Sequence, residues 1–354
     1  MRLALALPYA ALSWELGRRG FAPAQNAVLE QRAAAVRWGA TDLGFLDRTY
    51  PPLPVAVAAL LPGGAVALGV AGAVAAGMLL HLVVERLVQR RVHVVVLVPL
   101  VLAVAVAPGF LLLQTGDFAA FTGLALLAVA IEGFTRFAFS GETHGGFQAG
   151  LALGSATLCD PVALVYAGAL AGAAPLMAWY RYGGVPAATR ATAAVILFPG
   201  VAAALGWVFL QWRFTGHVVS PWQGNSPPGW DDALPRLVAT LRAVGGDVAT
   251  APIYVLCGVM LAARRPLALT GYLLPVVGLV AVLWLGLRYS HVEAAVLLAL
   301  VGVMSVPLRP GRRVLVLLAA AAALKLGIEW TLAWDDPVLR DWTTLTGGVV
   351  VVWR

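Results

Sequence analysis

The residues best suited to chemistry lie in a polar stretch near the start of the chain and in a short cluster near its end. Between Gln25 and Pro54 stand three acids, Glu30, Asp42 and Asp47, with Asn26, Arg37, Arg48 and Tyr50. A carboxylate within hydrogen-bond reach of a hydroxyl can take its proton as that oxygen attacks an electrophilic carbon. The three acids are therefore candidate general bases, with Asp47 foremost because it adjoins the stiff Tyr50-Pro51-Pro52-Leu53-Pro54 element. Asn26 and Tyr50 are candidates for holding a hydroxylated substrate, since an amide orients a hydroxyl but cannot act as its base. Late in the chain, Arg288 and His291 beside Tyr289 make a phosphate-sized cluster. Lys325 and Glu329 are spaced i, i+4 inside an apolar run, where charge marks either a binding group or a mutually neutralising pair. Plainer roles stand beside these: Glu30 pairing with Arg37, Asp42 capping a turn beside Gly44, Asp47 pairing with Arg48, and Asp117 capping the helix that follows it.

The elements that must position these groups are apolar. With 61% hydrophobic and 12% charged residues among 354, and a mean hydropathy of +0.86, the chain cannot cover a soluble globule and reads as a polytopic membrane protein. The net charge of +7 is carried by arginines at the ends of apolar runs, which marks loops and lipid headgroups and argues against nucleic acid. Cys159 and Cys257 sit in apolar segments without metal or redox spacing. No His, Cys, Asp or Glu grouping has metal-ligand spacing, so no tightly held metal or other cofactor is expected; a loosely bound divalent cation is compatible with the acids present.

Taken in order, residues 3–16 form a short first helix, retained because Trp14-Glu15-Leu16 does not fit a signal cleavage site. Ala24 to Trp38 predicts an amphipathic surface helix with Val28, Ala35 and Trp38 on one side, ended by Gly39. Apolar runs follow at 53–84, 92–107, 118–137, 147–158, 161–179, 191–212, 251–263, 267–287, 292–308 and 314–334, giving about eleven transmembrane helices in one domain over 1–354. Gln114 to Asp117 reads as a polar turn between two of them. The positive-inside bias of the short Arg-bearing turns puts the N-terminus inside and the C-terminus outside. The first loop (17–54), a second polar loop (213–250) and the tail (335–354) then fall outside. No internal repeat stands out, which argues modestly against a transporter.

Four stretches in this order resemble membrane glycosyltransferases of the GT-C superfamily, of the dolichyl-phosphate-mannose and aminoarabinose transferase type. They are Trp38-Gly39 with Asp47-Arg48-Thr49-Tyr50-Pro51-Pro52-Leu53-Pro54; Ala149-Gly150-Leu151-Ala152-Leu153-Gly154 running into Asp160-Pro161; Gln211-Trp212-Arg213-Phe214-Thr215-Gly216; and Arg288-Tyr289. The resemblance covers about residues 10 to 310, and the order of the motifs is more specific than any one of them. It implies an all-α, GT-C-like membrane protein of the bacterial plasma membrane with a helical first outer loop. It also implies transfer of a sugar from a polyprenyl-phosphate donor to a glycan or lipid acceptor at the outer face, with membrane lipids as further partners. An acid of the first loop would serve as base, with Asn26, Tyr50, Arg288, Tyr289, His291 and Lys325 holding substrate.

This sequence departs from the family where the usual acidic pair would open the surface helix, because Gln25-Asn26 stand there. Either Glu30, Asp42 or Asp47 substitutes, or the chain is a non-catalytic GT-C-like subunit that binds glycolipid. A lipid or polysaccharide transporter is the remaining alternative, and it would need more charge through the middle of the spans than Lys325 and Glu329 supply.

Overall fold

The computed structural model describes residues 2–21, 23–39, 45–46, 49–140, 143–181, 185–216, 233–264, 268–335, 340–341 and 344. Its regular elements are helices: α1 (Arg2–Arg18), α2 (Ala24–Ala34), α3 (Pro52–Leu60), α4 (Gly64–Gln89), α5 (Val94–Ala105), α6 (Pro108–Gly116), α7 (Phe118–Ser140) and α8 (Thr143–Thr157) in the first half. Then come α9 (Ala163–Arg181), α10 (Pro186–Thr215), α11 (Ala233–Ala249), α12 (Pro252–Arg264), α13 (Ala268–Tyr272), α14 (Leu274–Trp284), α15 (His291–Met304) and α16 (Arg312–Asp335). The all-α expectation holds for these residues, and helices long and apolar enough to span a bilayer make an integral membrane protein the physical reading.

Among the described residues the expected eleven spans do not form. Among the described residues four helices have the length and composition to cross a membrane (64–89, 118–137, 190–215 and 312–332), or up to six if the bent pairs α5/α6 and α11/α12 each count as one span. The reason is geometric. At 1.5 Å per residue a helix needs about 20 residues to cross the hydrocarbon, and several apolar runs are cut short of that by Pro and Gly. The 53–84 run splits at Leu61-Pro62-Gly63 into α3 and α4, and the 92–107 run bends by 50° into α6 at Pro108. The 213–250 region is not loop throughout, because 233–249 is helix α11, turned by 95° against α12.

Close packing depends on small residues. Along α8, Gly145 faces Gly133 of α7, where an added Cβ would lie 2.7 Å from the Gly133 carbonyl oxygen. Gly150 and Gly154 face Val195 and Pro199 of α10 at similarly short range. This small-residue stripe lets three backbones approach as membrane helices do. A core of aliphatic residues with Phe110, Phe121 and Phe134, all fully buried, joins α4 to α7 and α15.

Three polar side chains hold the helix breaks. The α5/α6 bend leaves carbonyls without helical partners; Tyr9 donates to Ala105 O (2.8 Å) and Lys325 donates to Ala103 O (2.8 Å). Gln114 is buried inside α6 rather than in a polar turn, and donates to Gly69 O (2.8 Å) and Ser13 Oγ (3.1 Å). These bonds tie α1, α4, α5, α6 and α16 together where the backbone is broken.

A carboxylate and arginine cleft at three helix starts

Helices α7, α9 and α15 begin at one end of the bundle, and each start carries an acid. Asp117 precedes α7 and accepts from Ala120 N (2.9 Å), the capping role its position predicts. Asp160 lies in the α8–α9 turn and accepts from Val162 N with Oδ1 (2.9 Å), leaving Oδ2 without a hydrogen-bond partner among the described residues. Glu293 stands in the first turn of α15 behind Ser290, whose hydroxyl accepts from Glu293 N (3.3 Å). Arg288 joins two of these starts, with its guanidinium 3.0 Å from Asp117 Oδ2 and 3.5 Å from Glu293 Oε1.

Two confluent cavities meet at Asp160 and Arg288. The outer one, about 210 Å³, is lined by Gln25, Arg32, Tyr50, Pro51, Asp117 and Asp160. The inner one, about 50 Å³, runs past Glu293 and Tyr289 between Leu124, Leu127, Tyr166 and Leu297. A polar mouth therefore leads to an apolar slot, roofed by the first-loop helix and the Tyr50-Pro51 turn. That roof is fixed: Tyr50 Oη donates to Thr157 O (3.1 Å), Leu53 N donates to Leu158 O (3.2 Å), and Arg32 donates to Tyr50 O. The Tyr50 ring packs 6.2 Å from that of Trp207.

The electrostatics favour proton and anion chemistry. Burial holds the Asp160 carboxyl above the usual carboxylate range, and the nearby Asp117 charge adds to the rise, while the Val162 amide and Arg288 pull it down. Such a group is a stronger base than an exposed aspartate. Burial also pushes the Tyr50 phenol up, so it stays a neutral donor, and pushes the Cys159 thiol up to about 12, which leaves it no nucleophile at neutral pH. Three helix N-termini point positive dipole ends at the same space, which together with Arg288 suits an anionic ligand. Beside the cleft, Asp247 accepts from Tyr289 Oη and lies 2.8 Å from His291 Nδ1. Among the described residues no group of three His, Cys, Asp or Glu is placed to hold a metal.

The sequence-derived candidates are distributed unevenly. Tyr50, Arg288 and Tyr289 line the cleft. His291 is bound to Asp247 rather than grouped with Arg288. Asn26 is fully buried and spent on the backbone: its Nδ2 donates to Thr115 O (3.1 Å) and its Oδ1 accepts from Phe118 N (2.9 Å). Glu30 accepts from Ala65 N (3.1 Å) at the start of α4 and is not among the cleft residues. Lys325 lies in α16, paired with Glu329 at 2.7 Å. Asp42 and Asp47 lie outside the described residues. The surface helix ends at Ala34; Asn26, Leu29 and Ala33 face the protein, while Val28 and Trp38 are exposed.

Asp160 and Glu293 are the cleft acids that sequence reasoning did not put forward as catalytic. One signal for them was present in the helix starts: Ser290-His291-Val292-Glu293 has the spacing of a capping box, and Asp160 precedes Pro161 before an apolar run. No family model, curated protein or solved structure gives a significant match to the chain.

Proposed function

We propose that the chain is a GT-C-like membrane glycosyltransferase that moves a sugar from a polyprenyl-phosphate donor to an acceptor hydroxyl at the end of the bundle bearing the carboxylates. The observation that carries this reading is the convergence of Asp117, Asp160, Glu293 and Arg288 on one cleft with a polar mouth and an apolar slot. In this scheme the donor phosphate lies by Arg288 and the helix starts, its prenyl chain passes from there into the surrounding lipid, and the sugar occupies the mouth under Gln25, Arg32 and Tyr50. The acceptor oxygen attacks the anomeric carbon as the carbon–oxygen bond to the phosphate breaks. Its proton passes to the free oxygen of Asp160, and the lipid phosphate leaves against Arg288. The base is then Asp160, which replaces the first-loop acids in that role and removes the difficulty posed by Gln25-Asn26.

The test is transfer by the purified chain in lipid, read by mass spectrometry of the acceptor, over a panel of polyprenyl-phosphate sugars. Asp160→Asn should lower turnover by about 10² to 10⁴, and Arg288→Ala should do so with weaker donor binding. Glu30→Gln should leave transfer intact, because Glu30 serves the start of α4. Undiminished transfer by Asp160→Asn removes the base assignment, and absence of transfer by the wild type with every donor removes the enzyme reading.

A further inference from the structure

A second cavity lies at the opposite end of the bundle, where α7 and α15 finish. It measures about 400 Å³ and is lined by Arg90, Arg264, Ser305, Met260, Leu261 and Leu308, among others. A smaller pocket bounded by Arg90, Glu132, Thr135 and Ser305 adjoins it. Two features distinguish it from an ordinary packing gap. The first is an excess of cations, Arg86, Arg90, Arg136 and Arg264 standing against the single carboxylate of Glu132. Arg264 is exposed and has no hydrogen-bond or ion-pair partner among the described residues, and Arg90 has no carboxylate within ion-pair distance there. The nearby acid, Glu132, is already held by Arg86 at 2.7 Å and Arg136 at 3.0 Å.

The second feature is construction. Arg90 donates to Val306 O while its own carbonyl accepts from Arg309 N (2.9 Å), so the α4–α5 and α15–α16 turns are clasped around one guanidinium. Arg91 and Arg309 both take left-handed backbone, φ 57° and 50°, which L side chains seldom adopt. The buried Ser305 offers a hydroxyl without a hydrogen-bond partner among the described residues. Two cations and a hydroxyl beside an apolar wall of Met260, Leu261 and Leu308 match a phosphate with an attached hydrocarbon chain. Short basic turns at one end of a membrane bundle also face the leaflet where anionic lipid is met.

We propose that this cavity binds the phosphate headgroup of an anionic phospholipid, with an acyl chain along Met260, Leu261 and Leu308. The site is separate from the carboxylate cleft and does not depend on the transferase reading. The full chain in mild detergent is titrated with phosphatidylglycerol, phosphatidylcholine or inorganic phosphate, and bound lipid is counted by native mass spectrometry. Phosphatidylglycerol should be retained over phosphatidylcholine, and inorganic phosphate should compete only weakly. Arg264→Glu, at an exposed side chain that holds nothing else, should weaken phosphatidylglycerol about tenfold. Arg312→Glu, exposed and outside the cavity lining, should leave it unchanged. Equal retention of the two lipids, unchanged binding in Arg264→Glu, or an equal loss in Arg312→Glu overturns the proposal. Inorganic phosphate binding as tightly as the lipid overturns the lipid assignment in favour of a free-anion site.

Discussion

Asn26→Ala removes the amide that fastens the first-loop helix to the α6–α7 junction. Asn26 is fully buried, and its two bonds, to Thr115 O at 3.1 Å and from Phe118 N at 2.9 Å, satisfy backbone groups at the end of α6 and the start of α7. Alanine leaves the Phe118 amide buried without its acceptor and takes one donor from the Thr115 carbonyl. At about 1–3 kcal/mol for the orphaned amide and about 1 kcal/mol for the bond lost from the carbonyl, the loss is about 3 kcal/mol. The buried thiols of Cys159 and Cys257 provide the assay, because a thiol-reactive dye labels them only as the bundle opens. The labelling midpoint of Asn26→Ala should fall well below that of the wild type. Asn26→Asp discriminates further: it keeps an acceptor for Phe118 N–H, loses the donor to Thr115 O and buries a charge. Its carboxyl should titrate above the unfolded value, so its stability is fullest below the unfolded pKa and declines as pH rises through the folded one. An Asn26→Ala protein that melts with the wild type refutes the latch. An Asn26→Asp protein that is stable at neutral pH and transfers sugar faster shows instead a position from which a catalytic acid was lost.

Two further substitutions test the polar groups. Asp160→Asn keeps an acceptor for Val162 N–H while removing a carboxylate whose pKa burial raises. The wild type should therefore lose stability as pH rises through that raised pKa, and the variant should match or exceed it at neutral pH by the same thiol assay; a lower midpoint contradicts this. Lys325→Met strands the Glu329 carboxylate and the Ala103 carbonyl, and should cost about 3–5 kcal/mol. Adding Glu329→Leu should recover part of that loss, and no recovery would mean that Lys325 acts chiefly through Ala103.

Composition and periodicity make the helical membrane class legible, because only helices and closed barrels satisfy a backbone away from water and long continuous apolar runs suit helices, not the alternating short strands of a barrel. The number of spans is not legible in the same way. An apolar run of given length can be one straight helix or two short ones, and Pro108, Pro62 and Gly63 decide this only through the neighbours that donate to the freed carbonyls, such as Tyr9 and Lys325. Within the site, Arg288, Tyr289 and Tyr50 are legible because large polar residues at the end of an apolar run have few other uses. Asn26 misleads for a long-range reason. Its partners are Thr115 and Phe118, some ninety residues away, and no local pattern announces them.

The cleft acids escape notice because capping and chemistry are not alternatives for them. Asp117 accepts from the amide of Ala120 with Oδ1 and from Arg288 with Oδ2; Asp160 accepts from Val162 N with Oδ1, and its Oδ2 has no hydrogen-bond partner among the described residues. A carboxylate at a helix start has two oxygens and needs only one for the cap. Where a single helix begins, the second oxygen meets water and the cap is the whole account. Here the starts of α7, α9 and α15 converge, so the second oxygens share a recess with Arg288. The positive ends of the three helices permit several carboxylates in so small a volume and also attract an anion to it. The fold's contribution is then to bring two capping aspartates, Asp117 and Asp160, to one place beside Glu293 and Arg288, so that the same carboxylates cap a helix and face the cleft.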